Sequence, residues 1–153
     1  MSSHTAFPIL GGPRTPIPAL RPKAQLTLPA QEALVGCLRA TAADLLTRWR
    51  LSEDERDAAV LIVGELGANA ATHGRSEMSL CMIQGPETLC IVVSDHGEPS
   101  PSRPPSVGGD PDECGRGLDI VRALAARVEL RHDSHGTSVV AWLAIRTASR
   151  RAA

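Results

Sequence analysis

The chain has 153 residues, a formal net charge of −1 at pH 7 and 42% hydrophobic residues. This length fits one domain, and the hydrophobic fraction is enough for a buried core, which excludes wholesale disorder. The near-neutral charge argues against a domain built to hold nucleic acid, because such domains usually carry a basic excess. Aromatic residues make up 2% of the chain, which argues against a platform that stacks single-stranded bases.

The cysteines and the apolar runs indicate the compartment. Cys37, Cys81, Cys90 and Cys114 form no CxxC pair, so we expect reduced thiols rather than disulfides or zinc ligands. A membrane-spanning helix needs about 20 apolar residues, and no run in the chain approaches that length. The N-terminal segment also lacks the apolar stretch of a signal peptide. These features predict a cytoplasmic protein.

The N-terminal third predicts an arm, a strand and a helix. Residues 1–23 contain five prolines, which predicts a flexible arm because proline interrupts helices and central strands. Residues 24–28 alternate between polar or small and apolar side chains, as in a short strand. Pro29 suits the first turn of a helix, and leucines at helical spacing continue that helix to about Trp49.

A second helix is predicted from Glu53 to about Thr72, with Gly74 as its stop. Ser52 and Glu55 have the spacing of a capping box, in which each side chain bonds the other's backbone N–H. The helix carries one apolar stripe, formed by Ala59, Ile62, Val63 and Leu66.

A hairpin and a long loop follow. Residues 77–84 and 88–94 are rich in apolar and β-branched side chains, and Gly85-Pro86 separates them like a turn. Residues 96–114 contain five prolines and three glycines. Loops of this length are uncommon in a compact domain, and this one is predicted to be a functional lid.

The last elements complete the predicted fold. Residues 117–127 predict a third helix, and residues 128–132 and 137–145 predict a closing hairpin. The resulting order, β-α-α-β-β-α-β-β, predicts an α+β fold. We expect a two-layer sandwich with three helices on one face of a mixed, mostly antiparallel sheet.

The first polar cluster lies on the second helix. Glu65, Asn69 and His73 are spaced i, i+4, i+8 and therefore share one helix face. An amide oxygen is a hard ligand for Mg²⁺, and a carboxylate one turn earlier can orient or deprotonate a hydroxyl. Taken alone, the same pattern also fits an ordinary solvated helix face.

The second cluster lies where an apolar strand ends. A carboxylate at Asp95 can accept a hydrogen bond from an exocyclic amine such as that of adenine. Gly97 can let the backbone approach a flat ring. Thr137, which opens the last strand, can join a polar network around the base if it lies beside Asp95. Each feature alone also fits a strand that ends in a polar turn.

The third cluster lies at the start of the third predicted helix. Gly115 and Gly117 expose backbone N–H groups where the helix dipole favours phosphate. Arg116 can add a charged hydrogen bond to phosphate. The cluster lacks the Walker pattern and follows a loop rather than a strand, so it is neither a P-loop nor a Rossmann turn.

In this order the clusters resemble the GHKL (Bergerat-fold) ATP-binding superfamily, and most closely the stand-alone bacterial anti-sigma factor serine/threonine kinases. ELGANAATH is similar to the N box, SDHG to the first glycine box, and GRGLDIVRALA to the second. The resemblance covers about residues 24–146. We expect this span to be the ATP-binding domain, between the arm and a C-terminal tail over residues 147–153.

The resemblance implies a role for most of the singled-out residues. Glu65 would be the general base toward a protein serine hydroxyl, and Asn69 would coordinate Mg²⁺ on the ATP phosphates. The adenine end would be formed by Asp95, Gly97 and Thr137, and the phosphate end by Gly115, Arg116 and Gly117. The role of His73 stays open.

The resemblance also implies an activity and partners. The chain would transfer the γ-phosphate of ATP to a small anti-sigma antagonist, would bind a sigma factor, or both, and would form a homodimer without contacting nucleic acid or a membrane. Pro99 stands where the fuller first glycine box has a glycine. This departure keeps open a non-catalytic, nucleotide-gated module that sequesters its partner, and an α+β domain with chance motifs is the third alternative.

Overall fold

The computed structural model describes residues 21–73, 75–99 and 111–146, with only the backbone at residues 99 and 111–115. Most of the predicted arm, the centre of the predicted lid, Gly74 and the predicted tail lie outside the described residues. Within the part that is described, no helix is both long and apolar enough to cross a bilayer.

Eight elements follow one another in the described part of the chain. They are β1 (Lys23–Pro29), α1 (Glu32–Arg48), α2 (Glu53–Thr72), β2 (Arg75–Gln84), β3 (Thr88–Pro99), α3 (Pro111–Leu124), β4 (Arg127–Asp133) and β5 (Gly136–Ala144). The strands form one five-stranded sheet in the order β1-β2-β3-β5-β4. Each neighbouring pair is antiparallel. The predicted α+β class and element order are confirmed.

The core lies between the helices and one face of the sheet. All four residues of the predicted α2 stripe are buried there, namely Ala59, Ile62, Val63 and Leu66. Successive side chains of a strand point to opposite faces. Ile91, Val93 and Asp95 alternate along β3 and are all buried, so the carboxylate of Asp95 faces the helices together with the core.

The capping box at the start of α2 is confirmed. The Ser52 side chain accepts a hydrogen bond from the Glu55 backbone N–H at 3.2 Å, and the Glu55 carboxylate accepts one from the Ser52 N–H at 2.9 Å. Glu55 also accepts a hydrogen bond from the Arg146 backbone at 2.6 Å. The capping box therefore also ties the start of α2 to the chain that leaves β5.

The predicted start of α1 is wrong. Pro29 ends β1, where it pairs with Glu77, and α1 begins at Glu32. β1 is an edge strand, and a proline is tolerated there because its missing N–H costs no central ladder bond. Pairing with β2 decides the conformation of Pro29 over its local preference for a helix start.

The predicted start of α3 is also wrong. The helix begins at Pro111 and ends at Leu124, because proline suits a first helical turn. Gly115, Arg116 and Gly117 therefore lie inside α3 rather than ahead of it. Their backbone N–H groups belong to the helix and are not the free first-turn groups that the sequence suggested.

Candidate functional site

The first and third clusters meet where α2 packs against α3. A Cβ added to Gly117 would stand 2.9 Å from Oε2 of Glu65 and 3.6 Å from both terminal side-chain atoms of Asn69. Gly117 is buried, so its lack of a side chain lets the α3 backbone reach the carboxylate and the amide. The structure thus brings together three residues that the sequence placed in one site.

Asp95 on β3 lies beside the C-terminal end of α2. Its side chain is 2% exposed, and its Oδ2 is bonded to Nδ1 of His73, whose side chain is 35% exposed. Its Oδ1 accepts a hydrogen bond from the Thr137 backbone N–H at 2.8 Å. A Cβ on Gly136 would lie 2.0 Å from the Asp95 carbonyl oxygen. One buried carboxylate therefore joins α2, β3 and β5.

Asp95 is a hydrogen-bond acceptor because its environment keeps it ionised. Burial raises the pKa of Asp95, but the hydrogen bonds from His73 and Thr137 and the positive charge of Arg75 outweigh burial, and the pKa is lowered. A carboxylate that receives such donors stays charged. The lowered pKa therefore agrees with the geometry.

Gly97 packs against β2. Its φ is +92°, and a Cβ there would stand 2.1 Å from Oγ of Ser76. Arg75 donates from Nη1 to the Gly97 carbonyl oxygen at 3.3 Å. β2 and β3 thus stay paired beyond the predicted end of the hairpin, with an irregularity between Arg75 and Glu77. The role of Gly97 beside a flat ring stays a prediction.

Thr137 uses its backbone, not its hydroxyl, to bond Asp95. Its Oγ1 is 2.8 Å from Nδ1 of His132 on β4. Gly136 precedes Thr137 at the start of the last predicted strand, but the sequence suggested no role for it, and His132 was not predicted as part of the site. The facing ends of the predicted hairpin strands, at residues 132 and 137, are the signal that could have found His132, and the structure pairs these two residues.

Gly115 and Arg116, the other residues predicted to contact phosphate, lie in α3. Arg116 is exposed on α3, and its predicted role stays a prediction, as does that of Gly115. Among the described residues, no group of three or more His, Cys, Asp and Glu is arranged to hold a metal ion. Oxygen donors for Mg²⁺ beside Gly117 are the Asn69 amide and the Glu65 carboxylate.

A groove that sequence reasoning missed runs between α1 and α2 and reaches Glu65. It encloses about 710 Å³ and is lined by charged and apolar side chains, among them Arg39, Asp57, Leu61 and Glu65. The Arg39 stem lies over Gly64, where a Cβ would be 2.9 Å from its Cδ. Leu61 is 45% exposed. Glu65 therefore faces Gly117 on one side and an open groove on the other.

Comparison with known proteins shows the class of protein to which this chain belongs. Residues 28–142 match the family model of the histidine kinase-like ATPase domain. The chain belongs to this family, which confirms the resemblance to the GHKL superfamily.

Two individual proteins are also similar to this chain, one in sequence and one in structure. The serine-protein kinase RsbW of Halalkalibacterium halodurans is 27% identical over 123 residues, which cover 72% of this chain and 76% of that protein. The crystal structure of the RsbU and RsbW domains of a Mycobacterium tuberculosis protein superposes with a TM-score of 0.60 at 18% identity. That match covers 81% of this chain but 32% of the Mycobacterium chain, and at this identity it shows the fold alone.

Proposed function

We propose that this chain binds ATP with Mg²⁺ and acts as an anti-sigma-factor-type protein serine/threonine kinase. The observation that carries the proposal is that residues on one face of α2 lie beside both α3 and the buried Asp95. The side chains of Glu65 and Asn69 lie next to Gly117 of α3, and His73 is hydrogen-bonded to Asp95. The similarity to a serine-protein kinase supports the choice of reaction.

The surroundings of Asp95 fit a purine that carries an amine. An ionised carboxylate only accepts hydrogen bonds, and each of its oxygens can accept more than one. Both oxygens of Asp95 already have one donor, and each keeps capacity for another. In the proposal, Asp95 accepts from the adenine amine, while Gly97 and Thr137 shape the surroundings.

The phosphate end fits a hard cation and a hydroxyl. In the proposal, the Asn69 amide oxygen coordinates Mg²⁺, and Arg116 pairs with phosphate oxygens beside Gly115 and Gly117. Bound Mg-ATP supplies an activated γ-phosphoryl group. Glu65 orients a protein serine hydroxyl and takes its proton as the serine oxygen bonds to phosphorus and ADP leaves. Positioning and charge neutralisation account for most of the catalysis in such transfers.

The groove between α1 and α2 gives the protein partner a route to Glu65. Leu61 offers apolar surface, and within the described ranges the Arg39 guanidinium forms no ion pair or hydrogen bond. The groove lining as a whole carries more carboxylates than guanidinium groups, so we expect an apolar segment of the partner, rather than a strongly acidic one, to complement this groove. We place the partner here, as a small anti-sigma antagonist, a sigma factor, or both.

A second candidate function is nucleotide-gated sequestration without phosphoryl transfer. Two observations favour it. α3 begins at Pro111 and takes the backbone N–H groups of Gly115 and Gly117 into the helix, so they do not cradle phosphate. Pro99 replaces a glycine of the first glycine box. On this hypothesis the chain binds ATP and its partner but transfers no phosphate.

A transfer assay with a matched pair of variants tests the kinase proposal. Labelled Mg-ATP is incubated with the host's anti-sigma antagonist proteins and with wild type, Glu65→Gln or Asp54→Asn. Asp54 is an exposed carboxylate in the first turn of α2 and is not among the described residues that line the groove. General-base catalysis contributes about 10²–10⁴-fold, so Glu65→Gln should lose transfer by that order while Mg-ATP binding stays within a few-fold. Asp54→Asn should transfer like wild type.

The outcomes separate the candidates. Undiminished transfer by Glu65→Gln would remove Glu65 from its role as base. Nucleotide binding by wild type without transfer to any antagonist would support sequestration. Absence of nucleotide binding would refute both functions.

We also infer the organisation of the chain. The described strands, from Lys23 to Ala144, form a single sheet, which supports residues 24–146 as one nucleotide-binding domain. The homodimer stays a prediction, which the molar mass in solution tests.

A further inference from the structure

Among the three polar residues that share one face of α2, Glu65, Asn69 and His73, only His73 was left without a role by the sequence. It follows the last residue of α2 and is the C-cap of that helix. Its Nδ1 bonds Oδ2 of Asp95, and the Thr137 N–H bonds Oδ1. Within the described part of the chain, His73 is the only side chain that donates to this carboxylate. The imidazole is partly exposed, whereas the carboxylate is almost fully buried.

The chemistry of a buried carboxylate depends on such donors. Burial without donors favours the protonated acid, whose O–H can donate a hydrogen bond to a carbonyl oxygen. Two N–H donors instead favour the ionised form, which can only accept. If Asp95 can only accept hydrogen bonds, the purine that it binds must donate one. A 6-amino group is such a donor. A 6-oxo group is an acceptor and would face the carboxylate oxygen without a hydrogen bond.

We propose that His73 is a positioning residue that makes Asp95 select a 6-amino purine over a 6-oxo purine. The inference rests on the proposed nucleotide site. His73 does this by donating through Nδ1 to Oδ2, which fixes the orientation of the carboxylate and keeps it an acceptor. When the imidazole is removed, the Thr137 N–H still donates to Oδ1. Oδ2 then has no donor from the described part of the protein.

Other titratable groups nearby are held by other partners. Arg75 on β2 bonds the Gly97 carbonyl oxygen and adds positive charge near Asp95. His96 on β3 pairs with Glu77 at 3.4 Å. His132 on β4 reaches Asp95 only through Thr137. His96→Ala is therefore a control that removes a neighbouring imidazole without removing a donor to Asp95.

The test compares Mg-ATP with Mg-ITP, which has the same ribose and triphosphate but carries oxygen in place of the 6-amino group. Dissociation constants are measured by calorimetry from pH 7.5 to 5.5 for wild type, His73→Ala, His73→Asn and His96→Ala. A hydrogen bond to a charged group corresponds to roughly 10–100-fold in affinity. Wild type should bind Mg-ATP more tightly than Mg-ITP by roughly 10–100-fold. In His73→Ala this ratio of dissociation constants should be about tenfold smaller.

Rescue and pH dependence distinguish donation from packing. The His73→Asn amide N–H can take the place of Nδ1–H and should restore most of the preference. As the pH falls toward 5.5, the preference for ATP over ITP should decrease more in His73→Ala than in wild type. In this variant Asp95 lacks the donor that opposes its protonation. His96→Ala should behave like wild type. If His73→Ala does not fold, His73→Leu replaces it as a variant without a donor.

Each contrary result has a definite meaning. ATP binding with the same ATP-to-ITP ratio in wild type and His73→Ala at every pH would overturn this inference and leave the proposed function standing. Failure of His73→Asn to restore a lost ratio would overturn it as well, because packing would then be the cause. No nucleotide binding by wild type would overturn both.

Discussion

Gly117 is the residue through which α3 reaches the face of α2 that carries Glu65 and Asn69. Glycine inside a helix is destabilising by roughly 0.5–1 kcal/mol relative to alanine, so its presence at a buried contact requires a reason. Oε2 of Glu65 supplies that reason, because it would stand 2.9 Å from an added Cβ. The side chain of Glu65 can turn away from a methyl group, but it then leaves the position in which the proposed base acts.

Gly117→Ala should therefore lower activity more than stability. The gain in helix propensity, about 1 kcal/mol, offsets the local crowding, so we expect the free energy of unfolding to change by less than about 1 kcal/mol. Phosphoryl transfer should fall about tenfold, since 1.4 kcal/mol of lost positioning has that effect. Urea denaturation and the transfer assay measure the two quantities.

Gly36→Ala is the matched control. Gly36 is an exposed residue of α1, and the nearest atom to an added Cβ lies 4.0 Å away. This variant should be slightly more stable than wild type and equally active. Equal transfer rates in wild type and Gly117→Ala would show that the contact with Glu65 does not matter for the reaction.

Single residues of the site could be predicted only as far as local patterns extend. Helical spacing placed Glu65, Asn69 and His73 on one face, and the end of an apolar strand marked Asp95. The bond between His73 and Asp95 joins residues 22 positions apart, and no local pattern encodes it. The close approach of Gly136 to Asp95 was not predicted for the same reason, because the two residues belong to different strands.

At the scale of the element, α2 is the part that local sequence determines most fully. Ser52 and Glu55 close a capping box, and the helix begins with three acidic residues in its first turn, Glu53, Asp54 and Glu55. These carboxylates interact favourably with the N-terminal end of the helix dipole. The helix that carries the proposed site is thus stabilised at its start by its own sequence.

Ser52→Ala should cost about 1 kcal/mol of folding free energy, because an N-cap substitution leaves a first-turn N–H without its partner. Urea denaturation measures the loss, and Ser52→Thr, which keeps the hydroxyl, should lose much less. Nucleotide affinity of the folded Ser52→Ala protein should not change, since Ser52 lies at the far end of α2 from Asn69. An Ala variant as stable as wild type would show that Glu55 alone stabilises this helix start.

The starts of α1 and α3 could not be predicted in the same way. Pro29 and Gly117 each carry a local signal for a helix start. Pro29 instead ends β1, where it pairs with β2, and α3 begins six residues before Gly117. At β1 a tertiary contact overrides the local signal of Pro29, whereas at α3 an earlier local signal, Pro111 in the first turn, decides where the helix begins. The capping box at Ser52 was predicted correctly because its hydrogen bonds are local and satisfied on the protein surface.

At the scale of the whole molecule, the predicted order of elements was correct, but the order of strands in the sheet was beyond the sequence. β5 lies between β3 and β4, so the last strand of the chain enters the sheet rather than adding to its edge. That insertion brings Thr137 against Asp95. The fold therefore assembles the surroundings of Asp95 from strands whose pairing no single segment determines.

Asp95 also stabilises this assembly, because its carboxylate bonds groups from α2 and β5 while it belongs to β3. Its pKa is lowered by the donors that outweigh burial, so the unfolded state binds a proton more readily than the folded state. The stability that results is fully present above the unfolded value of about 3.9 and is lost as pH falls through the lower folded value. Acid should therefore remove this contribution.

Asp95→Asn should reveal this linkage in the equilibrium unfolding of the whole domain. At pH 7 we expect the variant to be less stable than wild type by about 1–3 kcal/mol, the loss typical of a hydrogen-bonded charged group. Below about pH 4 the difference should shrink, because wild type then loses the same contribution. Urea denaturation from pH 7 to pH 3 measures it, with Asp57→Asn, an exposed carboxylate of α2, as the control that should match wild type throughout. A difference between wild type and Asp95→Asn that stays constant down to pH 3 would mean that the shape of the side chain, and not its charge, holds the three elements together.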